Sequence, residues 1–192
     1  MPKLPQVSGV DTEIEAALSA RDKRRVLTLL MVRFGDAVYK YAVAMTRDRD
    51  LADEVRQQVF VDAYRDLDNV AVPAALPRWI FGIARHRCLD AVDAQLRWNQ
   101  RYKNDPPEDL EQDDCEPDLD RCRMAHLLAA CLTELAPAAR DAVILRYQQE
   151  LSYDEAAAIA GDLPGTLQRR VARALPMLRK CVEAKLQLGE SR

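Results

Sequence analysis

The chain reads as all-α, with two small helical domains joined by an acidic flexible linker. Three observations lead there. Apolar residues recur at spacings of three and four over several long stretches, and no run alternates in the manner of a strand. Glycine occurs only six times among 192 residues, while 48% of residues are hydrophobic, enough to fill helical cores. Between the periodic stretches lie residues 105–120, with nine Asp or Glu and no Lys or Arg, the composition of a solvated tether. The boundaries that follow are a tail with a short helix over 1–21, a first domain over 22–102, a linker over 103–123 and a second domain over 124–192.

Taken in order, Asp11 to Ala20 carries a weak helical pattern through Ile14, Ala17 and Leu18. Asp22 is a good N-cap for a longer helix with Leu27, Leu30, Phe34, Val38, Tyr41 and Met45 on one stripe. After the polar break Thr46–Asp50, a helix over roughly Leu51–Leu67 sets Ala52, Val55, Val59 and Ala63 inward, with Glu54, Gln58, Val61 and Arg65 pointing elsewhere. Asp68–Pro77 is a loop with two prolines. A third helix from about Arg78 buries Ile80, Ile83, Ala84, Cys88 and Ala91 and leaves Arg78, Arg85 and His86 outside. Beyond the linker, Met124–Leu135 and Pro137–Gln149 read as supporting helices, with Leu127, Leu128, Leu132, Val143, Ile144 and Tyr147 as core.

Ser152 to Arg173 organises the second domain. Ser152 with Glu155 three residues on is a capping box. Ala156, Ala157, Ile159 and Ala160 form a small apolar surface that a second helix can approach closely, and Gly161 suits the left-handed end of the first. Pro164 suits the first position of the next, since its missing N–H has no partner there. Leu167, Val171, Ala174 and Leu178 then make one apolar stripe, with Thr166, Arg169, Arg170 and Arg173 on the other side. A helix that buries one face and shows arginines and a threonine on the other suits a DNA groove. The same pattern also fits a solvated basic face on an ordinary helical hairpin. Pro176 removes a bond to the Ala172 carbonyl, so a kink or break is expected there, with LRKCVEAKL as a separate docking turn.

Net charge is −3, yet outside residues 105–120 the 28 basic residues face only 22 acidic ones, a surplus of six. Five cysteines (88, 115, 122, 131, 181) in a chain expected to be cytoplasmic argue against a disulfide framework. Cys122 and His126 lie one helical turn apart, but no Cys-x-x-Cys spacing supports a metal site, and neither metal nor cofactor is expected. The cytoplasmic expectation rests on the first 18 residues, which lack signal-peptide features, and on the absence of an apolar run of membrane-spanning length. Two histidines, His86 and His126, fall in different domains, and neither a phosphate loop nor a nucleophile elbow is present, so an enzyme is disfavoured.

The runs LADEVRQQVFVDAYRDLDNV and LPRWIFGIARHRCLDAV resemble conserved region 2 of bacterial RNA polymerase sigma factors. LTELAPAARDAVILRYQQELSYDEAA followed by the two-helix stretch resembles region 4. The two blocks in this order, joined by an acidic linker too short for a region 3 domain, are similar to the extracytoplasmic function class of the sigma-70 family. The resemblance covers residues 25–185.

It implies a polymerase-binding set, Glu54, Gln57, Gln58 and Phe60, matching an acid-x-x-Gln-(Glu/Gln)-x-Phe pattern that docks on the clamp helices of the largest subunit. A solvated helix face with Phe60 in the core is the competing reading. It implies a minus-10 set, Asn69, Arg78, Trp79, Arg85 and His86, offering amide, aromatic and cationic groups to a flipped base and its backbone. Family members often carry Asn where His86 stands, and Trp79 also fits a core role. It implies a minus-35 set, Thr166, Gln168, Arg169, Arg170 and Arg173, with Gln168 where Lys is common and Leu163 where a cap is usual. The partners implied are core RNA polymerase through its clamp helices and flap, promoter DNA and an anti-sigma factor, with no membrane contact. The alternative is a sigma-like regulator that binds polymerase or promoter DNA without initiating; a simple helix-turn-helix repressor would not need the Glu54–Phe60 helix.

Overall fold

The computed structural model describes residues 8–69, 76–102 and 119–190. They hold eight α-helices and no strand: α1 (Ser8–Ser19), α2 (Lys23–Thr46), α3 (Arg49–Asp66), α4 (Leu76–Tyr102), α5 (Leu119–Thr133), α6 (Pro137–Val143), α7 (Tyr153–Ala160) and α8 (Pro164–Glu190). A 3-10 turn over Leu67–Asn69 follows α3, and a π-helical turn over Ile144–Gln148 extends α6. Most of the acidic stretch, with Cys115, lies outside the described residues, as do the side chains of Asn69 and Cys122.

Local chemistry sets the boundaries. Asp22 accepts a bond from the Arg25 N–H at 3.0 Å and starts α2; Asp48 accepts from Leu51 at 2.9 Å and starts α3. Arg47, between them, takes the left-handed conformation and returns its N–H to the Val43 carbonyl, closing α2. Val26, Leu30, Phe34, Val38, Tyr41 and Met45 of α2 meet Ala52, Val55, Val59 and Ala63 of α3 and Ile80, Phe81, Ala84 and Cys88 of α4. The weak N-terminal helix is not a loose appendage. Ile14 and Ala17 of α1 are buried in this same core.

The core does not stop at the domain boundary. Leu145, Ala156, Ala157, Ile159, Leu167 and Val171 of the second half belong to the same apolar cluster. Asp141 of α6, with no solvent exposure, accepts a bond from the Tyr41 hydroxyl at 2.6 Å and another from Arg85 Nε at 2.7 Å. Arg140 beside it donates to the carbonyls of Leu132 and Thr133, both at 3.0 Å, and reaches across to the carbonyl of Met45 at the end of α2. The halves thus pack face to face.

This packing changes several expectations. Arg85, expected on an outer face, is committed to Asp141. Leu128 and Tyr147, expected in the core, are exposed, because the supporting helices turn their other sides toward α2 and α8. Of the kink or break expected at Pro176, the break does not occur, and LRKCVEAKL is not a separate docking turn. One helix runs from Pro164 to Glu190, because Leu178, Cys181 and Val182 pack on α5 and hold the far half in register despite the missing bond. The argument against a disulfide framework fails for one pair, Cys131 and Cys181, which are bonded with Cα atoms 5.8 Å apart. Cys88 is a buried free thiol, pushed well above the ordinary range by burial and then by Asp141.

Removing Arg85 leaves a buried carboxylate with one partner. Arg85→Ala should destabilise the closed packing by about 3–5 kcal/mol, and Tyr41→Phe by about 1–3 kcal/mol. Small-angle scattering and thermal melting together check this, with a larger radius of gyration expected as Asp141 escapes to water. Burial, then Asp141, raises the Tyr41 pKa well above 10.0. Its contribution is complete below that ordinary value and is lost as pH rises beyond it, so alkali should loosen the same packing.

Candidate nucleic-acid interface

The two-helix stretch forms as the sequence requires. The Ser152 side chain accepts from the Glu155 N–H at 3.2 Å while the Glu155 carboxylate takes the Ser152 N–H at 2.8 Å. The Ser152 hydroxyl also donates to the Glu155 carboxylate at 2.6 Å, and that bond, then the one from the Ser152 N–H, holds the Glu155 carboxyl below its ordinary value. Gly161 ends α7 at φ 69°, and its N–H returns to Ala157. A side chain at that φ would be strained, which is why glycine closes this tight turn. The N–H groups of Thr166 and Leu167 bond the Leu163 carbonyl, so α8 starts on backbone bonds where a side-chain cap is missing. Leu167 and Val171 are buried against α7, which turns the opposite face of α8 outward.

On that face Gln168, Arg169 and Arg173 are exposed and Thr166 is half-buried. Arg169 approaches the Thr166 hydroxyl at 3.4 Å. Arg170 is different: it pairs with Asp162 at 2.6 Å, and both side chains are mostly covered. It braces the turn ahead of α8 from within the domain, and its charge is partly neutralised there.

The α4 set divides likewise. Arg78 and His86 are exposed, Trp79 is half-buried against the core, and Arg85 is held by Asp141. His86 lies 3.5 Å from Asp90 one turn along. Arg78, Trp79 and His86 share a cavity of about 520 Å³ with Asp62 and Asp66 of α3 and with Ala158 and Ile159 of α7. The helix ahead of α8 therefore closes over part of the α4 face.

On α3, Glu54, Gln57 and Gln58 are exposed, while Phe60 is buried at 5%. Gln57 donates to Asp53 at 2.9 Å, which fixes its amide. Phe60 and Gln57 line an apolar groove between α2 and α3 of about 360 Å³, with Leu27, Met31, Val61 and Tyr64 along it. Phe60 thus belongs to the core and to the floor of this groove at once. Val61 is exposed, as its place off the core stripe predicts, whereas Met31 and Tyr64 were not singled out in the sequence as surface residues. Asp141 was also missed. Its signal was present: it sits at the helical spacing of Ile144 and Leu145, an acid on an apolar face.

The fold and these faces define a helix-turn-helix domain mounted on a helical bundle, with basic residues on both. The family models for Sigma-70 region 2 and Sigma-70, region 4 match residues 30–98 and 125–178. The RNA polymerase sigma-E factor of Streptomyces avermitilis is 32% identical over 133 residues, 65% of this chain and 73% of that protein. The ECF RNA polymerase sigma factor SigE of Mycolicibacterium smegmatis is 28% identical over 155 residues; the match takes in 78% of this chain but only 59% of that relative's length. Among solved structures, the sigma factor RpoE of Bartonella quintana, seen in complex with the anti-sigma factor NepR, has the same fold. Its TM-score is 0.69 at 24% identity, over 85% of this chain and 98% of that one. The chain belongs to the extracytoplasmic function class of sigma-70 family sigma factors.

Ser152→Ala should cost about 1 kcal/mol of stability at neutral pH. Because Glu155 is held below its ordinary 4.5, its share is present above that value and is lost as pH falls through the lowered one. Chemical denaturation at neutral and acid pH should show the cost shrinking in acid.

Proposed function

We propose that this chain binds core RNA polymerase, recognises minus-35 and minus-10 promoter elements, and promotes promoter opening at the start of transcription. The observation that carries this reading is the pair of basic surfaces on separate helices of one chain, Arg169 and Arg173 on α8 and Arg78 with His86 on α4. The order of the two matched regions supports it. Thr166, Gln168, Arg169 and Arg173 face the minus-35 groove, and Arg170 orients the turn that presents them. Arg78, Trp79, Arg85, His86 and Asn69 serve the minus-10 strand. Glu54, Gln57 and Gln58 rim the polymerase contact, and the apolar groove floored by Phe60 receives the partner's apolar side chains. No described helix is long and apolar enough to cross a membrane; work on polymerase places the protein in the cytoplasm.

The closed packing belongs to this reading as a resting form. With Asp141 holding Arg85 and α7 over the cavity beside Trp79, the minus-10 face cannot take a single strand. Polymerase and DNA must separate the halves, and an anti-sigma factor, such as the one RpoE binds, would hold the inactive arrangement.

In vitro transcription with purified core polymerase and a genomic DNA library tests the function directly. Discrete starts that share two upstream elements are expected; binding to core without discrete starts would replace initiation with a purely regulatory role. Arg169→Ala and Arg173→Ala should each weaken minus-35 binding and reduce the salt slope by about one phosphate contact. Unchanged binding in both would remove α8 as the recognition face. Joint replacement of Gln57 and Gln58 by Ala should weaken polymerase binding in a pull-down while leaving the melting temperature unchanged.

A further inference from the structure

Cys131 and Cys181 lie 50 residues apart in sequence and join α5 to the far half of α8. Cys131 is fully buried among Leu135, Val143, Ala174 and Leu178, whereas Cys181 is half-exposed. The bond falls five residues beyond Pro176, the point where α8 lacks a backbone donor and is weakest. On the other side of Cys131, the last turn of α5 is held by Arg140, which also reaches Met45 of α2, and by Arg47 of the first half, whose guanidinium meets the Thr133 hydroxyl at 3.3 Å. One turn of helix thus carries the covalent brace on α8, the carbonyl that Arg140 grips and one polar contact with the first half, Arg47 to Thr133.

We propose that Cys131–Cys181 is a reversible thiol–disulfide site whose oxidised form braces α8 and the closed packing, and whose reduction loosens both. The chemistry is exchange with a low-molecular-weight disulfide. The Cys181 thiolate, the accessible one, attacks a sulfur of that disulfide and expels one thiolate. Cys131 then displaces the second, so the two protein thiols lose two electrons and two protons, and the small disulfide leaves as two thiols. A dithiol reverses both steps, beginning at Cys181. Glu134 lies close to both sulfurs but is turned outward and pairs with Lys185 at 3.1 Å, as a surface ion pair would. The bonded sulfurs favour exchange over metal binding at this cluster.

The test uses the full chain, oxidised with excess glutathione disulfide or reduced with dithiothreitol. Iodoacetamide labelling followed by peptide mass spectrometry should find Cys131 and Cys181 protected in the first state and labelled in the second. Closing so long a loop should make the oxidised protein melt on the order of 10 °C higher. Scattering should show a larger radius of gyration after reduction. A Cys131→Ser, Cys181→Ser double variant should match the reduced protein and ignore dithiothreitol. Labelling of both cysteines in the oxidised state would overturn the proposal, as would a redox response that survives the double substitution. Stoichiometric zinc binding by the reduced protein, lost on Glu134→Gln, would replace it with a metal site. None of these readouts involves polymerase or promoter DNA, so their failure and that of the transcription assay are separable.

Discussion

The arrangement of this protein depends on a carboxylate that has no access to water. Asp141 sits at the meeting of α2, α4 and α6, and an ionised acid there would be prohibitive without partners. Tyr41 and Arg85 supply them, and both come from the region 2 half. The region 4 half therefore satisfies its own buried charge only by resting on region 2. Arg140 adds a second dependence, since burial, then the neighbouring Arg47, lowers its pKa, and carbonyls on both halves accept its hydrogen bonds. Polar groups of this kind fix orientation more than they add stability, because the cost of drying them offsets most of what their bonds return.

That constraint ties the resting structure to the proposed activity. Arg85 is the same side chain that neutralises Asp141 and that the minus-10 reading assigns to the DNA backbone. It cannot do both at once. A polyanion reaching α4 would compete with Asp141 for this guanidinium, while Asp141 regains water as the halves part. On that reading, opening would exchange one anionic partner for another, and the apolar core shared by the halves sets what must be exposed in return. The α8 face is built differently. Its outward arginines need no rearrangement within the domain, because α7 and the Gly161 turn already hold the apolar stripe of α8 inward.

Much of the fold was legible in the chain itself. Caps at Asp22, Ser152 and Glu155, the glycine turn at 161 and Pro164 at a helix start act within a few residues, so local chemistry decides them. The inward stripes of α2, α3 and α4 follow from helical periodicity, and so does the outward placement of Arg169 and Arg173. The same reading failed where a distant surface competed. Leu128 and Tyr147 carry apolar side chains at core-like spacing, yet no described helix covers them. Arg170 sits on the basic face by spacing, yet Asp162 at the preceding turn claims it.

What the sequence determined alone is the helical class, the two-block order, the helix-turn-helix and the residue types on each face, because all of these rest on patterns of short range. Tertiary structure decided how the halves meet. Whether Arg85 is free or paired, whether α8 survives Pro176 and whether Cys131 finds Cys181 each depend on groups that lie tens of residues away. Periodicity tells a side chain which way to face; only packing says what it meets there.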